Sequence, residues 1–223
     1  MQPFTPSRPA HPVARLRPWI VGAALLLGSA AWAVTPAQFR DAYQQFAQAT
    51  SGHSAAIEPA AQAFVALVQR EPANPVLHAY AGSATALKAT TTVLPWKKLA
   101  FAEEGLAQLD KALALLVPAH TTPSHNGIAS MLEVKFVAAN TFLGVPSFMN
   151  RHDRGSKLLG DVVSSPLLVS APLGFRGAVW LKAAKEATKA KNAADARHYL
   201  DLIVQQQAPQ AAQAQALLKE LAS

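Results

Sequence analysis

The residues in this chain whose types and spacing could do chemistry are few. His120 and His125 share one polar stretch around Pro123, a spacing from which a metal site could start. A structural zinc site wants four ligands, yet the chain has no cysteine and no carboxylate between Asp110 and Glu133. A solvated loop is the expected reading. His152-Asp153 has the form of a base beside an orienting acid, but no nucleophile is tied to it in sequence. Arg151-His152-Asp153-Arg154 is expected as a polar turn between paired helices. His78 and His198 lie beside Tyr80 and Tyr199 on helical segments, where packing or solvent contact is the default. Glu133 and Asn140 stand on one face of a strongly apolar segment, with Ser130 nearby. They would form either a buried polar pair, satisfied by backbone or by Lys135, or a polar strip in a groove. Phosphate-binding, dinucleotide, zincin and nucleophile-elbow patterns are absent. The expectation is a protein that is not an enzyme and carries no cofactor and no metal.

The elements that would position these residues are helices. Between Pro95 and Pro118, Trp96, Leu99, Ala102, Leu106, Leu109, Leu113 and Leu116 recur at steps of three and four, which predicts a helix with one long buried stripe. Thr35-Pro36 and Asn74-Pro75 are capping and first-turn pairs that predict helix starts. Helices are expected from Pro36 to near Ser51, from Pro59 to before Pro72, from Pro75 to Leu87, over 128–143 and 153–164, through Phe175 and Ala187 to about Lys191, and through Ala196 to Val204, with a last one after Pro209. The segment 128–143, apolar almost all round, is expected in the middle of the fold. Trp96, Trp180, Met131 and Met149 are expected as core residues. No run alternates with period two, and Asn126-Gly127 is the one hairpin dipeptide, so the fold class is all-α.

The N-terminus reads as an address. Arg8, Arg15 and Arg17 precede an apolar run from Trp19, and Ala31-Trp32-Ala33 has the small-x-small form of a signal-peptidase site. Residues 1–33 are therefore expected to be a signal peptide and 34–223 the mature domain, which is periplasmic or secreted. The alternative, a retained anchor, is disfavoured because the apolar run is shorter than the roughly 20 residues of a spanning helix. Without cysteine, the exported domain must rely on its apolar core. Losing three arginines lowers the formal charge from +7 to +4, a mild balance that does not imply nucleic acid, and none is expected as a partner. Membrane contact is expected only through the signal segment or weakly at the surface.

Pro72, Pro118, Pro166 and Pro209 recur at intervals of 43 to 48 residues, each closing a pair of helices. Ala66, Ala112, Gly160 and Ile203 stand six residues before these prolines, and the small ones among them are expected where helices approach closely. The segments VLHAYAGSATAL (76–87), GLAQLDKALALLVP (105–118) and KAKNAADARHYLDLIVQQQAP (189–209) resemble the tetratricopeptide-repeat (TPR) superfamily. The whole chain is similar to exported bacterial TPR-like proteins, through an Ala-Tyr-x-Gly-Ser-Ala…Leu-Pro-Trp-x-Lys-Leu arrangement over Ala79 to Leu99. Its spacing is longer than the usual repeat of about 34 residues, and the first-helix tryptophan and Leu-Gly pair are mostly missing. The resemblance implies a right-handed α-solenoid of about four degenerate repeats with a C-terminal capping helix. Such a module would hold a peptide or a partner helix of the cell envelope in a concave groove. Lys88, Glu133, Lys135, Asn140, Arg176 and Lys182, on the first helices of the pairs, are the residues expected to line it. The rival readings are a cell-envelope enzyme with an unrecognised site and a basic protein at the membrane surface.

Overall fold

The computed structural model describes Met1 and residues 33–221; nearly all of the expected signal segment, including Ala31 and Trp32, lies outside the described residues. Residues 33–221 belong to one compact unit. Among the described residues there are nine α-helices and no β-strand, the only extended pairing being a single bridge between Pro123 and Ala129. The helices are α1 (Pro36–Thr50), α2 (Ile57–Arg70), α3 (Pro75–Leu87), α4 (Pro95–Ala114), α5 (Ser130–Phe142), α6 (His152–Val163), α7 (Leu173–Lys189), α8 (Ala193–Gln205) and α9 (Ala211–Glu220).

Local chemistry sets these bounds. Thr35 and Gln38 form a reciprocal capping box at the start of α1, and Asn74 Oδ1 accepts from the Val76 and Leu77 amides to open α3. The helices α7 and α8 end alike. Lys191 (φ 58°) and Gln207 (φ 53°) take the left-handed conformation, and the next residue's amide returns to the Ala187 or Ile203 carbonyl. That is a Schellman ending made without glycine. The expected helices are present, with ends that differ by a few residues. The one between Pro95 and Pro118 ends at Ala114, and Pro118 opens a short 3-10 turn.

Each helix packs on the next along the chain, and α2 meets α3 more extensively than it meets α1. Taken two by two from α1, the pairs are α1–α2, α3–α4, α5–α6 and α7–α8, with α9 against α8. The first helices α3 and α5 also touch each other. One apolar core joins residues of α1 to α6 and reaches Ala183 of α7, and a second, built on Trp180, Leu200, Ile203 and Ala214, holds α7, α8 and α9 together.

The most enclosed element is α3, every residue of which is buried from Pro75 to Ala86. Its interior carries no Asp, Glu, Lys or Arg, and its small side chains allow neighbours to come close on all sides. At Gly82 it crosses α4 at Gly105. A Cβ on Gly82 would stand 2.6 Å from the Gly105 carbonyl oxygen, and one on Gly105 would stand 2.5 Å from that of Gly82.

Three expectations are corrected here. Trp96 is 66% exposed and Leu99 43%, so the buried stripe of α4 begins only at Ala102. The cause is length. The helix α4 has 20 residues and its antiparallel partner α3 has 13, so from the Gly82–Gly105 crossing the first turns of α4 outrun α3. Of the small residues six before each proline, Ala112 is fully buried in the main core, but Gly160 faces open space and Ala66 is exposed, whereas Gly82, Gly105, Gly155 and Gly177 stand at the tight approaches. The second helices have 14, 20, 12 and 13 residues, so a fixed distance from the closing proline cannot locate the crossing. Finally, His125 is not simply a solvated loop residue, because its ring stacks on Phe39 at 4.4 Å.

Candidate functional site

Tyr80 is where the site begins. At the middle of α3, it sits among Phe39, Tyr43, Phe46 and Phe64, with ring centroids 4.9 to 5.8 Å away. Its hydroxyl leaves this aromatic nest to donate to Glu133 Oε1 on α5 at 2.6 Å. Asn126 Nδ2 donates to the same oxygen at 2.5 Å, and Ser124 Oγ donates to Oε2 at 3.4 Å. Both donors come from the loop 122–129, which the Pro123–Ala129 bridge and a turn at Gly127 (φ 68°) fold back over α1 and α3. Glu133 is only 1% exposed. Burial pushes its carboxyl above the ordinary value, and the Tyr80, Asn126 and Ser124 donors pull it part of the way back. Burial and then the Glu133 charge raise the Tyr80 hydroxyl well above 10, so Tyr80 remains a donor. Tyr43 is raised by the same two causes in the same order.

Beside this polar knot runs a groove of about 780 Å³. Its lining comes from the first helix of every pair. The helix α1 gives Tyr43, Phe46 and Thr50; α3 gives Tyr80 and Ser83; α5 gives Phe136, Val137 and Asn140; α7 gives Phe175, Ala178, Lys182 and Lys185. Asn126 and Gln210 close the ends, and no residue of α2, α4, α6 or α8 takes part. On each helix the lining positions are separated by one, three or four residues, so each presents one face to the same space. Phe136 and Phe175 meet edge to face at 5.2 Å, which joins the α5 and α7 walls. The lining includes two lysines and no carboxylate. Lys182 is ion-paired with Glu186 at 2.9 Å. Burial alone would raise the Glu186 carboxyl, but Lys182 and Lys189 outweigh it and hold the group below its ordinary value.

Of the residues expected to line a groove, Asn140 and Lys182 do so. Glu133 lies behind Tyr80 and Asn126. Lys135 is paired with Asp161 of α6 at 3.0 Å. Lys88 is paired with Glu58 at 3.1 Å and lies over the Phe101 ring, and Arg176 lies over the Trp180 ring. None of these four lines the groove. Glu133 is satisfied by side chains of α3 and the 122–129 loop rather than by Lys135. The lining residues that spacing did not single out are Tyr43, Phe46, Phe136 and Phe175, which read as ordinary core positions, and Lys185.

The other chemical candidates are held apart. His120 Nδ1 accepts from the Val117 amide. His152 opens α6 at the surface, with Arg151 and Arg154 both reaching Asp110 of α4. His78 is buried and donates from Nε2 to the Pro72 carbonyl at 2.9 Å, while Nδ1 faces Gln108 at 2.8 Å; it ties α3 to α4 and to the preceding turn. Among the described residues no group of three or more His, Cys, Asp or Glu could hold a metal ion, and no helix is long and apolar enough to cross a membrane.

Among the described residues Glu133 is the one carboxyl that burial holds above its ordinary value, and Tyr80 and Asn126 stand between it and the groove. No family model, curated protein or solved structure matches the chain.

Proposed function

We propose that this is an exported, non-catalytic binding module of the cell envelope, built as a TPR-like α-solenoid of four helix pairs capped by α9. In this reading the groove holds an extended peptide or one helix of a protein partner. The observation that carries it is the lining: the first helices of all four pairs, and none of the second helices, face one groove. Stacked helical hairpins place a concave binding surface there. The tandem pairing of neighbouring helices and the contact of α3 with α5 support the same arrangement.

The lining also defines the ligand. Aromatic walls from α1, α5 and α7 favour apolar side chains, while Asn126, Asn140 and Ser83 offer hydrogen bonds to an extended backbone. Lys182 is already paired with Glu186, so it is Lys185 that favours a carboxylate at the α7 end. The ligand is therefore a segment with apolar side chains and either an acidic residue or its own C-terminus directed at α7.

A photo-crosslinking residue placed at Ala178 in exporting cells tests this. One discrete envelope protein should be trapped there, and none from the same residue at exposed Lys157 of α6. Equal trapping at both positions, or none at Ala178, would contradict the groove reading.

A further inference from the structure

The chain enters its fold at Val34 in an unusual way. The Val34 side chain is 6% exposed and belongs to the main core with Phe39, the positions N′ and N4 of a hydrophobic staple on α1. Its backbone amide donates to Glu71 Oε1 at 2.6 Å. Glu71 lies just past the end of α2, and its other oxygen accepts from Asn74 Nδ2 at 2.8 Å. Asn74 in turn caps α3. One carboxylate thus joins the start of α1, the end of α2 and the start of α3. Immediately before Val34, Ala33 is exposed, and its carbonyl accepts from Arg70.

We infer that Glu71 is the receptor for an α-ammonium group that is created at Val34 when the Ala33–Val34 bond is cut. The inference rests on the export reading above. Hydrolysis adds one water across the peptide bond, leaves a carboxylate on Ala33 and puts a protonated amine on Val34. A single neutral N–H donor becomes a cation with three donors, already positioned on a carboxylate. Charge-assisted hydrogen bonds are roughly twice as strong as neutral ones. Cutting gives up the exposed Arg70 contact to the Ala33 carbonyl and turns the part-buried Val34–Glu71 hydrogen bond into a charge-assisted one, so the junction of α1, α2 and α3 is tighter in the mature fold than in the precursor. The pairing raises the α-amine above its ordinary value of about 8. Its stabilisation is fully present below that value and is lost as pH rises through the raised one.

The test uses the full chain, exported through its own N-terminal segment and purified after processing. Edman sequencing first identifies the N-terminus. The Val34 α-amine is then labelled with an acetylating reagent at pH 7, and the N-terminal peptide is followed by mass spectrometry, in the wild type and in Glu71→Gln. A pKa one unit higher leaves about a tenth of the free amine. Wild type should therefore be labelled about tenfold more slowly than Glu71→Gln. In case Glu71→Gln does not fold, the pH dependence of labelling in wild type alone should give a midpoint clearly above 8. A chain that begins at Val34 but has a midpoint near 8 and no Glu71 effect would overturn the pairing while leaving export intact. A processed chain that begins at another residue would overturn the pairing alone, and a chain that still begins at Met1 would overturn both.

Discussion

Glu133 is the residue whose environment says most. Its carboxyl is buried, with a raised pKa, so the folded state holds its proton to higher pH than the unfolded chain does. Its contribution to stability is therefore greatest in acid and is lost as pH rises from the unfolded value, about 4.5, through the raised one. Glu133→Gln keeps an acceptor for Tyr80 and Asn126 and removes the charge. The variant should gain on wild type between pH 4 and 7 and be about as stable as wild type in acid, as denaturant titrations at several pH values would reveal. Tyr80→Phe removes a donor from a buried carboxylate and should cost about 1–3 kcal/mol at pH 7, and less in acid where the carboxyl is neutral. A loss independent of pH would mean that Tyr80 acts only by packing. The sequence places Glu133 and Asn140 on one helix face, and both are indeed tied to this region. It could not show Glu133's partners, because Tyr80 lies 53 residues away and Asn126 is positioned by a loop whose fold depends on α1 and α3.

At the scale of the elements, helix identity was legible and helix neighbourhood was not. Pro36, Pro75 and Pro95 mark true first turns, since their rings fit there and cost no hydrogen bond. Periodicity in α4 placed Leu106 and Leu109 on the buried face, but it also placed Trp96 there, because a stripe records a helix's own face and not the length of its partner. Leu109, fully buried, should lose roughly 2–5 kcal/mol as Leu109→Ala, against about 0.5 kcal/mol or less for exposed Lys111→Ala. The glycines give a sharper contrast. Gly105→Ala drives a Cβ into the backbone of α3 and should destabilise by at least about 1–3 kcal/mol, the ordinary cost of overpacking. Gly160→Ala meets open space on an exposed helix face and should stabilise by about 0.5–1 kcal/mol. Urea melts of the two variants that shift in the same direction would show that the α3–α4 crossing is misplaced.

For the whole molecule, the central claim is that four first helices act together on one ligand. Lys135 and Arg176, which the sequence suggested as groove charges, are held by Asp161 and against Trp180, so changing them would probe local packing and not the ligand. The groove's own residues are the proper targets. A second depression offers the internal comparison: Leu99 of α4 and Phe148 line it together with Glu103, Asp110 and Arg151, and Trp96 is exposed on the same helix α4. The decisive measurement is the Kd of a peptide selected on the immobilised wild-type protein, taken with Ala178→Trp, Lys185→Glu and the double variant Trp96→Ala/Phe148→Ala. The account predicts that filling the groove at Ala178 weakens binding at least about tenfold, or 1.4 kcal/mol, that Lys185→Glu weakens an acidic peptide, and that the α4-side variant binds as wild type does. Binding that survives Ala178→Trp and disappears in the α4-side variant would contradict it.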